Sequence, residues 1–250
     1  MKRYGVIGFP LSHSFSPGYF KEKFKKEGIK DSSYEAYPLE TIEELPALLK
    51  RIPELQGLNV TIPYKRSVYK FLDDSSSIPA GLNSCNCISI NAGKLQGFNT
   101  DVTGFELSFI KKLKPYHKYA LVLGNGGAAA AVCFVLGKLD IKYKLVSRVL
   151  HKGSSLTYAD LNATIIEEHQ VIINTTPLGM YPNIDDYPPI PYEYISSGHY
   201  LFDLIYNPEK TQFLKKGEQQ GALIQNGMEM LILQAEESWN IWRGFQPSKG

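Results

Sequence analysis

Ala120-Leu-Val-Leu-Gly-Asn-Gly-Gly-Ala-Ala-Ala-Ala-Val-Cys-Phe-Val-Leu-Gly-Lys-Leu139 is the stretch whose reading decides the fold. The apolar run Leu121, Val122, Leu123 stops at Gly124, and small residues suited to a helix follow at once. A short apolar run closed by glycine predicts a buried strand, so the stretch reads as strand, turn and helix. Gly124, Gly126 and Ala129 take the spacing of the dinucleotide fingerprint, with alanine in the third place. The first glycine permits the tight turn, the second lets backbone N–H groups approach a pyrophosphate, and the small third residue lets helix and strand pack closely. The helix N-terminus adds unpaired N–H donors and a partial positive charge. The same turn can also be purely structural, so it needs company elsewhere in the chain.

Working outward, strands and helices alternate, which is the pattern of an α/β fold. Before the turn, Tyr4 to Phe9, Ser33 to Leu39 and Gly57 to Ile62 read as strands. Cys85 to Ile90 and Leu95 to Phe98, joined through Asn91-Ala-Gly-Lys, read as a hairpin. Ser16-Pro17 suits the cap and first position of a helix closed by Gly28, and Thr41-Ile-Glu-Glu44 is a capping box. Tyr64-Lys65 opens a short helix, and Val102, Phe105, Phe109 and Leu113 form one helical stripe. After the turn, Lys142 to Val146, Val171 to Asn174 and Tyr200 to Leu204 are strands, and Pro182 to Pro191 is a loop. A polar helix ends near Gly221. The last helix, from Gly227 to Trp242, buries Met228, Leu231, Ile232, Ala235, Trp239 and Trp242, with Gln234 at the edge of that stripe. A dinucleotide turn lying mid-chain implies a separate domain before it. The expected division is 1–100, a first α/β domain; 101–222, a Rossmann-type dinucleotide domain; and 223–250, a C-terminal helix returning to the first.

Composition narrows the function classes. The chain has 250 residues, 43% hydrophobic and 21% charged, ordinary values for a globular protein. A net charge of +2 gives no electrostatic case for nucleic acid or acidic lipid. Cys85, Cys87 and Cys133 lack metal-knuckle spacing and read as small apolar side chains, so no metal site is expected. No apolar run reaches 18 residues and the N-terminal one breaks at Pro10, which points to a cytoplasmic protein. Oligomeric state is not legible in the sequence.

Several residues stand where chemistry is done. An acidic residue gripping the ribose of NAD is expected about 20 residues after the first glycine; here Ser147-Arg148 occupies that place, which favours NADP because a guanidinium fork matches a phosphate. His151 and Lys152 add positive charge close by. Lys65 follows an apolar strand and Pro63, at a carboxyl strand end where α/β sheets place ligands, and a lysine there can shuttle a proton to a ketone or hydroxyl oxygen; the competing reading is a surface lysine. Asn99-Thr-Asp101 enters a helix, and Thr100 or Asp101 can act simply as its cap. Ser14 and Ser16 can likewise be capping or turn residues, and His13 a hydrogen-bonded loop histidine. Asn86 alternates with Cys85 and Cys87 and needs a partner, backbone or polyol.

Taken together, Ser12-His-Ser-Phe-Ser-Pro17, Asn59-Val-Thr-Ile-Pro-Tyr-Lys65, Asn83-Ser-Cys-Asn86, Gly97-Phe-Asn-Thr-Asp101, Gly124-Asn-Gly-Gly-Ala128, Asn174-Thr-Thr-Pro-Leu-Gly-Met180, Asp203-Leu-Ile-Tyr206 and Gly227 to Gln234 resemble the shikimate dehydrogenase family in order and spacing over nearly the whole chain. The resemblance implies NADPH-dependent reduction of 3-dehydroshikimate to shikimate, in chorismate and aromatic amino-acid biosynthesis. By matching position it implies Lys65 as acid/base paired with Asp101, and Ser14 and Ser16 on the substrate carboxylate. It implies Thr61, Asn86, Asp101, Tyr206 and Gln234 on the hydroxyls and carboxylate. For the cofactor it implies Gly124, Asn125, Gly126, Gly127 and Ala128 on the pyrophosphate, Ser147 and Arg148 on the adenosine phosphate, and Leu204 and Gly227 beside the nicotinamide. The chain departs from the family pattern at Ser147-Arg-Val149 in place of Asn-Arg-Thr, in the segment Leu150 to Ser155, at Asn125 and at Val102. Competing readings are a quinate/shikimate dehydrogenase with broader substrate or NAD use, a folate-type methylene dehydrogenase, and a non-catalytic ligand-binding relative. Arg148 opposes NAD. The Ser14/Ser16 loop and Asn99-Thr-Asp101 have no role in the folate enzyme, and Lys65 and Asp101 are both present, against the last.

Overall fold

The computed structural model describes residues 1–12, 14–150 and 155–245. The chain divides into two compact units, Met1–Thr100 with Ala235–Gly250, and Asp101–Gln234. The second crossing falls inside the last helix, beyond residue 223.

The first unit is built on a five-stranded sheet of order β2-β1-β3-β4-β5, from β1 Lys2–Gly8, β2 Ser32–Pro38, β3 Leu55–Val60, β4 Cys87–Asn91 and β5 Lys94–Phe98. β1 pairs parallel with β2 and β3, whereas β3–β4 and β4–β5 are antiparallel. The β4–β5 hairpin turns through Ala92 and Gly93, both at positive φ, as a two-residue hairpin turn requires. Helix α1 spans Phe15–Glu27 and ends on Gly28 in the left-handed region at φ 68°. It starts earlier than the sequence implies: Ser14 is the cap, and Ser16 and Pro17 lie inside the first turn. The Thr41–Glu44 capping box forms, with the Thr41 N–H donating to Glu44 Oε1 at 2.8 Å, and leads into α2, Leu45–Arg51.

Tyr4, Phe20, Phe24, Trp239 and Trp242 make this unit's aromatic core, with Tyr4 and Trp242 stacked at 4.9 Å. Burial of each such ring contributes about 1.5–3 kcal/mol. A Cβ on Gly57 would lie 2.1 Å from the Trp242 indole nitrogen, so glycine is required for the helix to seat there.

The second unit carries a six-stranded sheet of order β11-β10-β9-β6-β7-β8, every pair parallel. Its strands are β6 Tyr119–Leu123, β7 Lys142–Ser147, β8 Leu156–Thr157, β9 Val171–Asn174, β10 Tyr200–Asp203 and β11 Leu223–Gln225. In chain order this is 3-2-1-4-5-6, the dinucleotide-binding arrangement, with the topological switch between β6 and β9. Its helices are α3 Thr100–Phe109, which enters from the first unit, α4 Gly127–Lys138, α5 Ala163–Glu168, α6 Gln212–Gln219 and the first part of α7 Met228–Trp242. Strands buried on both faces read as unbroken apolar runs, and Val171 to Ile173 are each wholly buried.

Helix α3 is shorter than its stripe predicts: it closes at Phe109, and Leu113 lies in the irregular segment beyond it. The buried side of α7 also differs from the expected one. Ile232 is 37% exposed, while Met230, Gln234, Ala235, Ser238, Trp239, Ile241 and Trp242 are buried, so Gln234 is inside rather than at an edge. Short β8, α5 and β11 have no sequence signal strong enough to announce them. Among the described residues no helix is long and apolar enough to cross a membrane.

Candidate active site

In the first unit the topology gathers one set of side chains at one end of the sheet. The parallel strands β1 and β3 both run toward that end; β1 delivers the loop to Ser14 and Ser16, and β3 delivers Thr61 to Lys65. Because β4 is antiparallel to β3, its start lies at the same end, and the Val60 N–H donates to the Asn86 carbonyl at 2.9 Å. β5 returns to this end, and the Asn86 N–H donates to the Phe98 carbonyl at 3.1 Å. Ser14, Ser16, Thr61, Lys65, Asn86, Asn99 and Thr100 thus share one sheet end, where α/β folds place ligands.

Each member is held locally. Lys65 lies in a turn, not in the helix expected there; the following helix is a 3₁₀ segment at Ser67–Phe71. The Lys65 carbonyl accepts from the Cys85 N–H at 2.7 Å, and neighbouring Tyr64 is buried with its hydroxyl donating to the Leu39 carbonyl. The lysine backbone is therefore fixed, and its side chain is half-buried.

Asn86 precedes β4 and points into a polar network: its Nδ2 donates to Thr100 Oγ1 at 3.0 Å, and its Oδ1 accepts the Thr100 N–H at 2.6 Å. Asn86 Oδ1 is thus the acceptor for the first N–H of α3. Cys85 and Cys87 are wholly buried, and burial raises the Cys87 thiol pKa, so both are packing residues as read from the sequence.

In the second unit Gly124 has φ +102°, and a Cβ there would lie 2.8 Å from Thr175 Oγ1. That hydroxyl donates to the Leu123 carbonyl at 2.7 Å, closing the turn across the topological switch. A Cβ on Gly126 would meet nothing within 4 Å, and α4 begins with no side chain capping it. The turn therefore presents uncapped N–H groups to open space, a cradle that fits a pyrophosphate. Ala129 is buried beneath it, as the close-packing role demands.

At the end of β7, Ser147 Oγ donates to the Val149 carbonyl at 2.6 Å, and Arg148 is exposed beside it. Burial raises the Tyr158 phenol pKa, and the positive charge of Arg148 opposes that rise. His13, His151 and Lys152 lie outside the described residues.

Leu204 and Tyr206 follow β10, and Gly227 precedes α7. A Cβ on Gly227 would sit 2.0 Å from the Leu204 carbonyl oxygen, so only glycine allows this approach. Asp101 and Gln234 belong to the same unit. Gly104, one turn beyond Asp101, admits α7 so closely that its Cβ would lie 2.9 Å from Gln234 Cβ.

Two groups of buried polar residues escape the sequence reading. Asp203 is wholly buried at the end of β10 and accepts three hydrogen bonds: Asn174 Nδ2 and the Ile205 N–H on Oδ1, both at 3.0 Å, and Thr211 Oγ1 on Oδ2 at 2.6 Å. Burial pushes its carboxyl up to about 7 while these donors oppose the rise. In the first unit, Tyr34, Asn59 and Ser238 continue the Asn86–Thr100 network inward. The available signal was a lone polar residue inside an apolar run, as in Leu58-Asn59-Val60 and Phe202-Asp203-Leu204.

Comparison with known proteins adds identity to this geometry. The family described as shikimate dehydrogenase substrate binding domain matches residues 6–88. The chain is 38% identical over 259 residues to the shikimate dehydrogenase (NADP(+)) of Clostridium beijerinckii, covering 98% of this chain and 93% of that protein. The structure of shikimate dehydrogenase from Aquifex aeolicus superposes with TM-score 0.84 at 32% identity, over 99% of this chain and 94% of that one. The Thermus thermophilus enzyme, solved with NADP(H) and shikimate, superposes with TM-score 0.85 at 28% identity, over 99% and 95%.

Proposed function

The chain belongs to the shikimate dehydrogenase family, and we propose that it catalyses the reversible NADPH-dependent reduction of 3-dehydroshikimate to shikimate, a step of chorismate and aromatic amino-acid biosynthesis. The observation that carries this reading is the full-length match to shikimate dehydrogenases at 38% identity over 98% of the chain.

Within that reading, the Gly124–Ala128 turn holds the pyrophosphate, with Asn125, Gly126 and Gly127 supplying backbone. Ser147 and Arg148 receive the adenosine phosphate, and Leu204 and Gly227 line the nicotinamide. NADPH supplies the hydride. As the ketone is reduced, negative charge develops on its oxygen, and the Lys65 ammonium stabilises that charge and delivers the proton. In the oxidation direction neutral Lys65 takes the hydroxyl proton back. Asp101 is the second catalytic group, and Ser14, Ser16, Thr61, Asn86, Tyr206 and Gln234 hold a small hydroxylated anion. A polyol acid needs several neutral donors and acceptors with few charges, and these hydroxyls and amides supply them.

The test is a spectrophotometric assay of nicotinamide reduction with shikimate and quinate, each against NADP and NAD. Turnover with shikimate and NADP is the expected result. Turnover confined to quinate with NAD, or none at all, overturns the proposal.

A further inference from the structure

Asn174 and Asp203 end the parallel neighbours β9 and β10 in direct register, and both are wholly buried. Residues in register across a sheet point to the same face, so the two side chains meet, with Asn174 Nδ2 donating to Asp203 Oδ1 at 3.0 Å. Each then holds the chain that leaves its own strand. Asn174 Oδ1 accepts the Thr176 N–H at 3.0 Å and the Thr176 hydroxyl at 2.7 Å. Asp203 Oδ1 accepts the Ile205 N–H at 3.0 Å. The Ile205 carbonyl in turn accepts the Gly227 N–H at 3.0 Å, and the Leu204 N–H donates to the Asn174 carbonyl at 3.0 Å. The backbone of Leu204 and Gly227 is thus fixed around Ile205, and Ile205 is fixed by Asp203.

The roles of these atoms follow from the donors. The Thr176 and Ile205 N–H groups can only donate, which sets the orientation of the Asn174 amide and makes Asp203 Oδ1 an acceptor whether or not the carboxyl is ionised. Any proton lies on Oδ2, where Thr211 Oγ1 at 2.6 Å can accept as well as donate. The Gly124 turn is tied down separately: the Thr175 N–H and hydroxyl both donate to the Leu123 carbonyl, at 2.9 and 2.7 Å.

We propose that Asp203, braced by Asn174, is a positioning residue for hydride transfer. It sets where the Leu204–Gly227 side holds the nicotinamide relative to the pyrophosphate turn, and it acts as a hydrogen-bond acceptor, not as a charge. This rests on the reading that these two segments flank the cofactor. Hydride transfer is the sensitive step, because reacting atoms must be held close to contact and a misplacement of about 1 Å can cost about 10²-fold. The hold on the adenosine end does not pass through Asp203.

The test uses the full-length chain, with single-turnover reduction of NADP by shikimate and calorimetric dissociation constants for 2′-phospho-ADP-ribose, the cofactor without its nicotinamide. Asp203→Ala is expected to slow hydride transfer by at least about 30-fold, while the fragment binds within about threefold of the parent. Asp203→Asn keeps an acceptor at Oδ1 and offers its Nδ2 to Thr211, so its hydride transfer should stay within about threefold of the parent. Asn174→Ala breaks the same brace from β9 and should slow the step by at least about fivefold. Adding it to Asp203→Ala should cost less than the product of the two losses.

Hydride transfer within about threefold of the parent in Asp203→Ala overturns the proposal. So does an Asp203→Asn variant as slow as Asp203→Ala, which would make the charge the active property. Fragment binding that falls as far as the hydride step also overturns it, because the whole unit would then have loosened. Should Asp203→Ala fail to fold, Asn174→Ala decides alone: a slowed step with the fragment retained supports the proposal, and a parent-like rate overturns it. A parent chain that does not oxidise shikimate with NADP sinks the function reading instead, so the two failures are separable.

Discussion

Lys65 is defined by what fixes its backbone. Its carbonyl is pinned to the Cys85 N–H, and Tyr64 beside it is anchored to the Leu39 carbonyl, so the side chain projects from a rigid turn at the carboxyl end of β3. A general acid must be held at hydrogen-bond reach of the oxygen it protonates. Lys65→Ala should cost at least about 10²-fold in kcat with modest change in the KM for shikimate, measured by steady-state kinetics. A near-normal kcat would remove Lys65 from the acid/base role. The lysine was legible because Asn59-Val-Thr-Ile-Pro-Tyr-Lys65 places it just past an apolar strand. Its turn was not, because Pro63 and the following residues fit a helix start and a turn equally well.

At the scale of the element, the strand–turn–helix unit at 119–138 came out of the sequence almost residue for residue. An apolar run, a glycine at positive φ and a run of small residues are each set by neighbours within a few positions. Gly124 shows why its identity matters: φ +102° and a Cβ 2.8 Å from Thr175 Oγ1 leave no room for a side chain. Gly124→Ala should raise the KM for NADP by about tenfold or more, since displaced backbone donors lose pyrophosphate hydrogen bonds, while calorimetric shikimate affinity stays near the parent value. An unchanged KM for NADP would take the turn out of cofactor binding. Helix α7 is the contrasting case. Its period was read correctly, but its buried face includes Met230 and Gln234 and leaves Ile232 exposed, because the partners that cover a helix are chosen by elements far away in sequence.

For the molecule as a whole, stability should respond to pH through buried groups of the second unit that pull in opposite directions. Burial holds His117 and His169 below the ordinary histidine pKa, the first with its Nδ1 accepting the Lys114 N–H. The unfolded chain therefore binds protons more readily than the folded one below pH about 6.5, and stability falls as pH falls through that range. Asp203, raised to about 7, works the other way: the folded state holds its proton between about pH 4 and 7, adding stability as pH falls. With two histidines against one carboxyl, the net slope from pH 7 to 5 should be a loss of up to about 1.4 kcal/mol per pH unit. Urea denaturation across that interval measures it. Asp203→Asn should steepen the slope, and an unchanged slope in that variant would show that Asp203 is ionised throughout.

The sequence by itself determined the α/β class, the dinucleotide turn, the β4–β5 hairpin, the Thr41 capping box and the end of α1 at Gly28. All depend on sterics and hydrogen bonds between residues a few places apart. It also read Ser14 and Ser16 as loop or capping residues, Thr61 at the end of a strand, Lys65 at the start of a helix and Asn86 within a strand, without showing that these share one sheet end; the antiparallel run of β4 against β3 decided that. Only the tertiary structure decided what lies beneath them. Tyr34 meets Asn59 across 25 residues and Asn59 meets Ser238 across 179, so the partners in that network are set by contacts no local pattern encodes. A buried polar group must find a partner, and where the partner comes from is a property of the folded chain.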